Sequence, residues 1–523
     1  MYPYENAMGN KPKYNTFDLS HDKRLTLKMG EIVPVMAIDV LPGDKFTVDT
    51  SHLTRMMPLV SPVMHNVKVK VRYFFSPNRL VWDNWEDFIT GPESATDTTE
   101  PVHPYMSVTG APSTLADYLG VSTYNNAVGT TVDVNALPFA HYQFIWNEYF
   151  RDQNLQTAAS HELIDGDNTA NPLLFQKRYV AWERDRFTSA LPFTQKGPEV
   201  SLPIISQDVT QAIKFNSGAP SPDALWNASL GTFAASNTYG VRVAGASGTI
   251  WDNALNMSLA LDNTANLLLD QSAINSSAAT VNELRQAFAI QKWLELNART
   301  GNRYTEHIQA HFGVKPQDAR LQRPEEFGGS VSNIQFSEVL QTSKSDPNST
   351  DPSALGTLGG HAMGASGSQK ASYYAQEHGW IFAFMYVVPD TAYYQGVPKK
   401  FTKVDRYDYF QPLLAHLGEQ PVQMKELYAQ GTSSDDDTFG YLPIYDEYRH
   451  EQSTVAGLMK SDMEHWHLGR KFASAPSLNG TFIKVSATDR IFAVSGEEQI
   501  IAHIYNDVKA QRKIPYYGTP MGV

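Results

Sequence analysis

Two histidines one residue apart, in Glu464-His-Trp-His467, are the nearest thing to a metal-binding text in this chain, with His450 a little upstream. Alternate residues of a strand point the same way, so the pair could share one ion. No third ligand follows at a recognised spacing, and ordinary structural histidines are the better reading. Asp435-Asp-Asp437 lacks the ligand pattern of a calcium loop and reads as a solvated turn. Gly359, Gly360, Gly364 and Gly367 have no preceding strand and no following Lys-Ser/Thr pair, so they read as a loop rather than a phosphate cradle. GxSxG and HExxH are absent from the sequence, and spacing singles out no acid/base pair among the 55 acidic residues. No catalytic residue, metal or cofactor is expected.

Chemistry of another kind is written at the two ends. Lys11, Lys13, Lys23, Arg24 and Lys28 interleave with Tyr14 and Phe17, while Lys509, Arg512 and Lys513 lie beside Tyr516 and Tyr517. Cations next to aromatic rings suit phosphate neutralisation and base stacking on single-stranded DNA. Glu5, Asp18, Asp22 and Asp507 dilute both patches, and docking of either terminus onto a neighbouring subunit stays open. The whole chain carries 42 basic against 55 acidic residues, a formal charge of −13. That sign is wrong for a protein that condenses DNA by itself, so any contact is local or shared with a separate basic protein.

The elements that must position these residues are mostly strands. With 523 residues the chain exceeds the size at which one core keeps growing, and only a large all-β fold with long insertions escapes a two- or three-domain prior. Thirty-four Gly and thirty Pro favour turns over long helices. Val67 to Tyr73 alternates apolar residues with Lys68, Lys70 and Arg72, the period of a strand. Ile32 to Val40 and Lys45 to Val48 flank Leu-Pro-Gly-Asp and read as a hairpin-like pair. Ile381 to Val388 is continuously apolar and reads as a strand buried on both faces. Phe482 to Val485, Ile491 to Val494 and Ile500 to Tyr505 read as further short strands of a sandwich or barrel. Helices are expected after Thr280, which opens a capping box with Glu283, and around Phe139 to Phe150.

Residues 206–280 differ from their flanks. Seven of the 75 are charged and 38 are Ala, Ser, Asn or Thr, against 19% charged residues in the whole chain, so the segment reads as an insertion. Trp226, Phe233, Trp251 and Leu268 give it apolar residues for a small core of its own. A polar tract from about 342 to 370 reads as a long exposed loop. The chain has no cysteine, no apolar signal-peptide core in MYPYENAMGNKPKY, and no run long enough to cross a bilayer. A soluble product made in a reducing cytoplasm is the expectation, without membrane insertion.

Ala136 to Asn154 reads ALPFAHYQFIWNEYFRDQN, dense in aromatics and amides. Upstream stand Phe17-Asp18 with Ser20-His21, Val40-Leu-Pro-Gly-Asp44, Phe74-Phe75, Pro77-Asn-Arg-Leu80 and Trp82-Asp-Asn-Trp85. Downstream come Phe187-Thr-Ser-Ala-Leu-Pro192, Gln195-Lys-Gly197, Arg303-Tyr-Thr-Glu306, His311-Phe-Gly-Val314 and Asp318 to Pro324. Glu377-His-Gly379, Tyr407-Asp408, Phe439-Gly-Tyr441 and Tyr517-Gly-Thr-Pro520 complete the series. Together, and in this order, they resemble the major capsid proteins of the single-stranded DNA microviruses, the gokushovirus branch above all. The resemblance implies an eight-stranded antiparallel jelly roll with long loop insertions and a few helices. It implies a T=1 icosahedral shell around a circular single-stranded DNA genome, located in the virion and assembled in the host cytoplasm. Implied partners are other copies of the chain, the genome, a small basic DNA-binding protein, a scaffolding protein, a DNA pilot protein and a host surface receptor. In that setting Trp82, Trp85, Trp146, Tyr149 and Phe150 are candidate anchors between subunits, or an aromatic core within one. Residues 206–280 become a three-fold protrusion with Trp226, Phe233, Trp251 or Leu268 among its contacts. The rival is a secreted β-sandwich that binds or cleaves polysaccharide. It wants a signal peptide and a cleft carboxylate pair, and neither is evident.

Overall fold

The computed structural model describes residues 14–91, 100–122, 131–198, 200, 281–300, 303–342, 355–366, 369–486 and 488–516, with short strands between 213 and 269. The chain forms two units, one of residues 1–196 and 297–523 and the other of residues 197–296.

Nine strands organise the first unit: β1 (His21–Leu27), β2 (Val33–Val40), β3 (Lys45–Met56), β4 (Val67–Pro77), β5 (Glu325–Leu340), β6 (Leu358–Ala365), β7 (Ala371–Tyr374), β8 (Gly379–Pro389) and β9 (Ile500–Arg512). One sheet runs β1-β9-β3, with β6 and β7 sharing the far side of β3; the other runs β5-β4-β8-β2. All these pairings are antiparallel. The chain crosses between sheets at β1–β2, β2–β3, β3–β4, β5–β6, β7–β8 and β8–β9. With β6 and β7 counted as one interrupted strand, this is the eight-stranded jelly roll. β5 pairs with β4 through residue 334 and with β6 from residue 335, so it joins the two sheets along one side.

Alternation explains the layering. Val67, Val69, Val71 and Tyr73, with Val33, Val35 and Met385 beside them in the same sheet, face Phe46, Val48, Ile504 and Val508 of the other sheet in the core between them. Phe74, Phe382, Phe384, Tyr386 and Val388 point out of the other side of the β4–β8 sheet into a second core, covered by α1 (Leu137–Ile145). β8 is therefore apolar at every position because both its faces are covered. Lys68, Lys70 and Arg72 share that second face and are satisfied by carboxylates. Lys68 and Lys70 meet Glu183, Lys68 also meets Asp390 at 2.7 Å, and Arg72 makes two 2.7 Å bonds to Glu326.

Four sequence expectations change. β2 and β3 do not pair with each other; each pairs within a different sheet. Leu41 to Asp44 is a crossover turn closed by the Asp44 N–H donating to the Leu41 carbonyl at 3.1 Å, with Gly43 at φ 90° where a side chain would be strained. Phe482 and Ile483 lie in a helical turn (Gly480–Ile483) and Ile491 in a 3₁₀ turn, so only the third of those short runs is a strand. Gly359, Gly360 and Gly364 lie in β6 rather than a loop, and a Cβ on Gly360 would sit 2.5 Å from the Ser61 carbonyl oxygen. His465 belongs to a 3₁₀ turn, not a strand. The expected helices form, the second of them as α2 (Val281–Thr300), although its cap residue Thr280 lies outside the described residues.

Two histidines tie layers together in neutral form. His52 lies between Thr54 Oγ1 at 2.9 Å and Ser332 Oγ at 3.0 Å, bridging β3 to β5. His141 on α1 meets Ser76 Oγ at 2.8 Å and Asn78 Oδ1 at 3.0 Å, fixing the helix on the end of β4. Burial lowers His52 to about 4, and burial, aided by His161, lowers His141 to about 3. The unfolded chain therefore takes up these protons first as pH falls. Stability should be complete above pH 6.5 and decline toward pH 4, by roughly 1.4 kcal/mol per pH unit for each histidine. Urea midpoints measured from pH 7.5 to 4.5 should fall steadily below 6.5, with less slope in His141→Gln. A flat profile down to pH 5 would contradict this assignment.

The second unit contains antiparallel pairs of short strands. Trp226 stands opposite Phe233, Trp251 opposite Arg242, and Leu268 opposite Lys214. The side chains of these four candidate protrusion contacts lie outside the described residues.

Candidate assembly site

The matched blocks, far apart in sequence, meet in pairs. α1 runs into a wider helical turn, Trp146–Phe150, closed by the Arg151 N–H on the Trp146 carbonyl at 2.9 Å. Against its end pack Arg303, which donates to the Arg151 carbonyl at 2.8 Å, and Arg323, whose guanidinium lies 4.6 Å over the Tyr149 ring. Tyr149 also donates to the Pro324 carbonyl. Arg79 grips Glu377 through Nε at 2.6 Å and Nη2 at 3.2 Å, and Trp85 meets His378 edge-on. Leu191 and Tyr441 exchange backbone bonds of 2.9 and 2.8 Å, beside the Phe187–Phe439 ring contact. Phe17 lies 5.2 Å from Tyr516. The pairs fasten the long β4–β5 insertion to itself and to the β8–β9 insertion, the ends of β4 and β8 to each other, and the two termini to each other.

Trp82, Trp146 and Phe150 are buried in the second core, and Trp85 and Tyr149 are half-buried against it. The Trp82 indole donates to Asp165 at 2.8 Å and that of Trp146 to the Tyr179 carbonyl at 3.0 Å. Their rings and polar atoms serve the core of one subunit.

The two basic ends converge. Asn15–Asp18 pairs with β9 at Lys509–Arg512, and the Lys513 ammonium lies 5.2 Å over Tyr14. Lys23 donates to the Pro34 carbonyl at 2.9 Å and to that of Tyr118, and burial pulls its ammonium down to about 8. Arg512 pairs with the buried Asp44 at 2.9 Å. Arg24, Lys509 and Lys513 face solvent, while Lys11 and Lys13 lie outside the described residues. A cleft of about 440 Å³ beside Lys509 is also lined by Lys45, Thr47 and Tyr374. Lys45 and Tyr374 were invisible to sequence reasoning, because only the register of β3 with β7 and β9 brings them to the terminal lysines.

Both nitrogens of His467 are engaged within the chain, one donating to the Met459 carbonyl at 2.8 Å and the other accepting the Gly469 N–H at 2.9 Å. Asp435 accepts the Gln430 and Gly431 N–H groups in an exposed turn, and those bonds hold its carboxyl below the usual range. A buried triad that no spacing announced sits under the Phe187 block. Arg186 bonds Glu426 and reaches Asp446 at 3.1 Å.

A model of the family described as Capsid protein (F protein) matches residues 7–522. The chain belongs to this capsid family. Capsid protein VP1 of Chlamydia phage 1 is 33% identical, with 97% of this chain and 95% of the relative covered. Capsid protein VP1 of Bdellovibrio phage phiMH2K is 33% identical over 96% and 94%, and that of Spiroplasma virus 4 is 28% identical over 98% and 96%. The alignments run nearly the whole length of both partners. This is a major capsid protein of the microvirus type, a virion component that associates with its own copies. Among the described residues, no helix is long and apolar enough to cross a membrane.

Proposed function

We propose that this capsid protein closes into a T=1 icosahedral shell around a circular single-stranded DNA genome, and that it performs no covalent chemistry and holds no cofactor. The observation that carries the reading is the family match from residue 7 to 522 laid over a complete jelly roll. Insertions braced internally by Arg303 and Arg323, and strand ends clasped by Arg79, give each copy fixed loops with which to meet its neighbours. Assembly takes place in the host cytoplasm. A scaffolding protein, a DNA pilot protein and a small basic DNA-binding protein are its partners, the last supported by the charge of −13. The segment 206–280 is an outward protrusion that meets a receptor on the host.

DNA contact is confined to the edge where the termini converge. The cleft between Lys45, Lys509 and Tyr374 suits one phosphate and one stacked base, and Lys11, Lys13, Arg24 and Lys513 are further cations of the two ends. Particles purified from infected cells should protect a circular single-stranded genome from nuclease. The triple charge reversal K45E/K509E/K513E should leave shells that retain several-fold less genome, the more so in high salt. Particles without protected single-stranded DNA would contradict the coat reading. Unchanged genome content in the variant would contradict only the DNA edge.

A further inference from the structure

Between β8 and β9 the chain makes an excursion, and residues 398–417 carry large apolar side chains that stand exposed among the described residues. Val404 is 93% exposed, Leu413 91% and Phe401 72%, and Tyr407, Phe410 and Leu417 are exposed as well. These six residues present on the order of 800 Å² to solvent, about what one partner contributes to a standard protein interface. Soluble monomers rarely leave so much contiguous apolar surface in water.

The segment is held in place rather than loose. Its backbone is a series of 3₁₀ turns, Lys399–Phe401, Arg406–Asp408 and Pro412–Leu414. Lys403 is buried on Glu447 at 2.7 Å, with its ammonium 3.8 Å over the Tyr448 ring. Lys400 pairs with Glu451 at 2.7 Å, Asp408 accepts the Val404 and Asp405 N–H groups, and Phe410 packs 5.2 Å from Tyr445. Lys403 is turned into the subunit while Val404, Leu413 and Phe401 face out. Such preorganisation reduces the ordering cost of association.

From this arrangement we propose that residues 398–417 form a principal contact between copies of the chain, docking on the surface of a second copy. The inference rests on the shell reading and goes beyond it by naming the surface. Area and family select the occupant. The exposed surface is about what one partner contributes to a standard interface, and the chain belongs to a capsid family whose members associate with their own copies.

The double variant Val404→Asp, Leu413→Asp tests it in the full-length chain expressed with its phage partners. Both side chains already stand in water, so circular dichroism and the melting midpoint should match the parent protein, while particle yield falls at least tenfold. Val404→Leu, Leu413→Met should assemble normally. The milder Phe401→Ser, Leu417→Ser variant should fold and also lose particles, which guards against an effect peculiar to aspartate. Parental particle yield in both polar variants would overturn the proposal. So would normal particles that no longer adsorb, which would assign the segment to a host protein instead. A parent chain that itself stays monomeric would overturn the shell reading, and this contact with it.

Discussion

Arg186→Leu is expected to destabilise the subunit by about 3–5 kcal/mol, because it leaves Glu426 and Asp446 buried without their cation. The three side chains are buried beside a cluster of Phe187, Tyr393, Val422, Phe439 and Phe482. Replacing all three members by leucine should recover most of that loss, since an apolar core has no charge to strand. Urea denaturation of the three proteins reads the difference directly. A single-variant loss below about 1 kcal/mol would mean that the cluster opens to solvent and that the triad is not what fixes it.

Removing residues 210–275 and joining the ends with a short Gly-Ser linker is expected to leave assembled shells with adsorption reduced to background. The segment lies wholly within the second unit, and none of the jelly-roll strands comes from it. Loops of this kind tolerate length change because closure entropy grows only slowly with length. Binding of radiolabelled particles to host cells measures the loss. Normal adsorption would end the attachment role. Failure to assemble would make the segment part of the shell.

Local patterns in the sequence were legible wherever burial had one cause. β4 alternates because one face meets the sandwich core and the other meets Glu183 and Glu326, and β8 is apolar throughout because α1 and its neighbours cover its second face. The errors came where partners are remote. Leu41-Pro-Gly-Asp44 has the composition of a hairpin, yet β3 finds its partner in β9, with Val48 opposite Val508, and no local signal reports a pairing of that span. The glycines of β6 looked like a loop because their role is close approach to Ser61, which turn statistics cannot distinguish from flexibility. Aromatic density at Trp82 and Trp146 marked a place of importance without saying whether the neighbour is the same subunit or another. Conversely, Lys403 and Lys45 owe their meaning to Glu447 and Tyr374, which only the fold places beside them.

The central claim is that this chain encloses space by meeting copies of itself. Electron cryomicroscopy of the chain produced with its phage partners tests that most directly. Closed T=1 shells are predicted, with one jelly roll in each asymmetric unit and residues 398–417 covered by a neighbour. A chain that stays monomeric at high micromolar concentration with those partners present would contradict it.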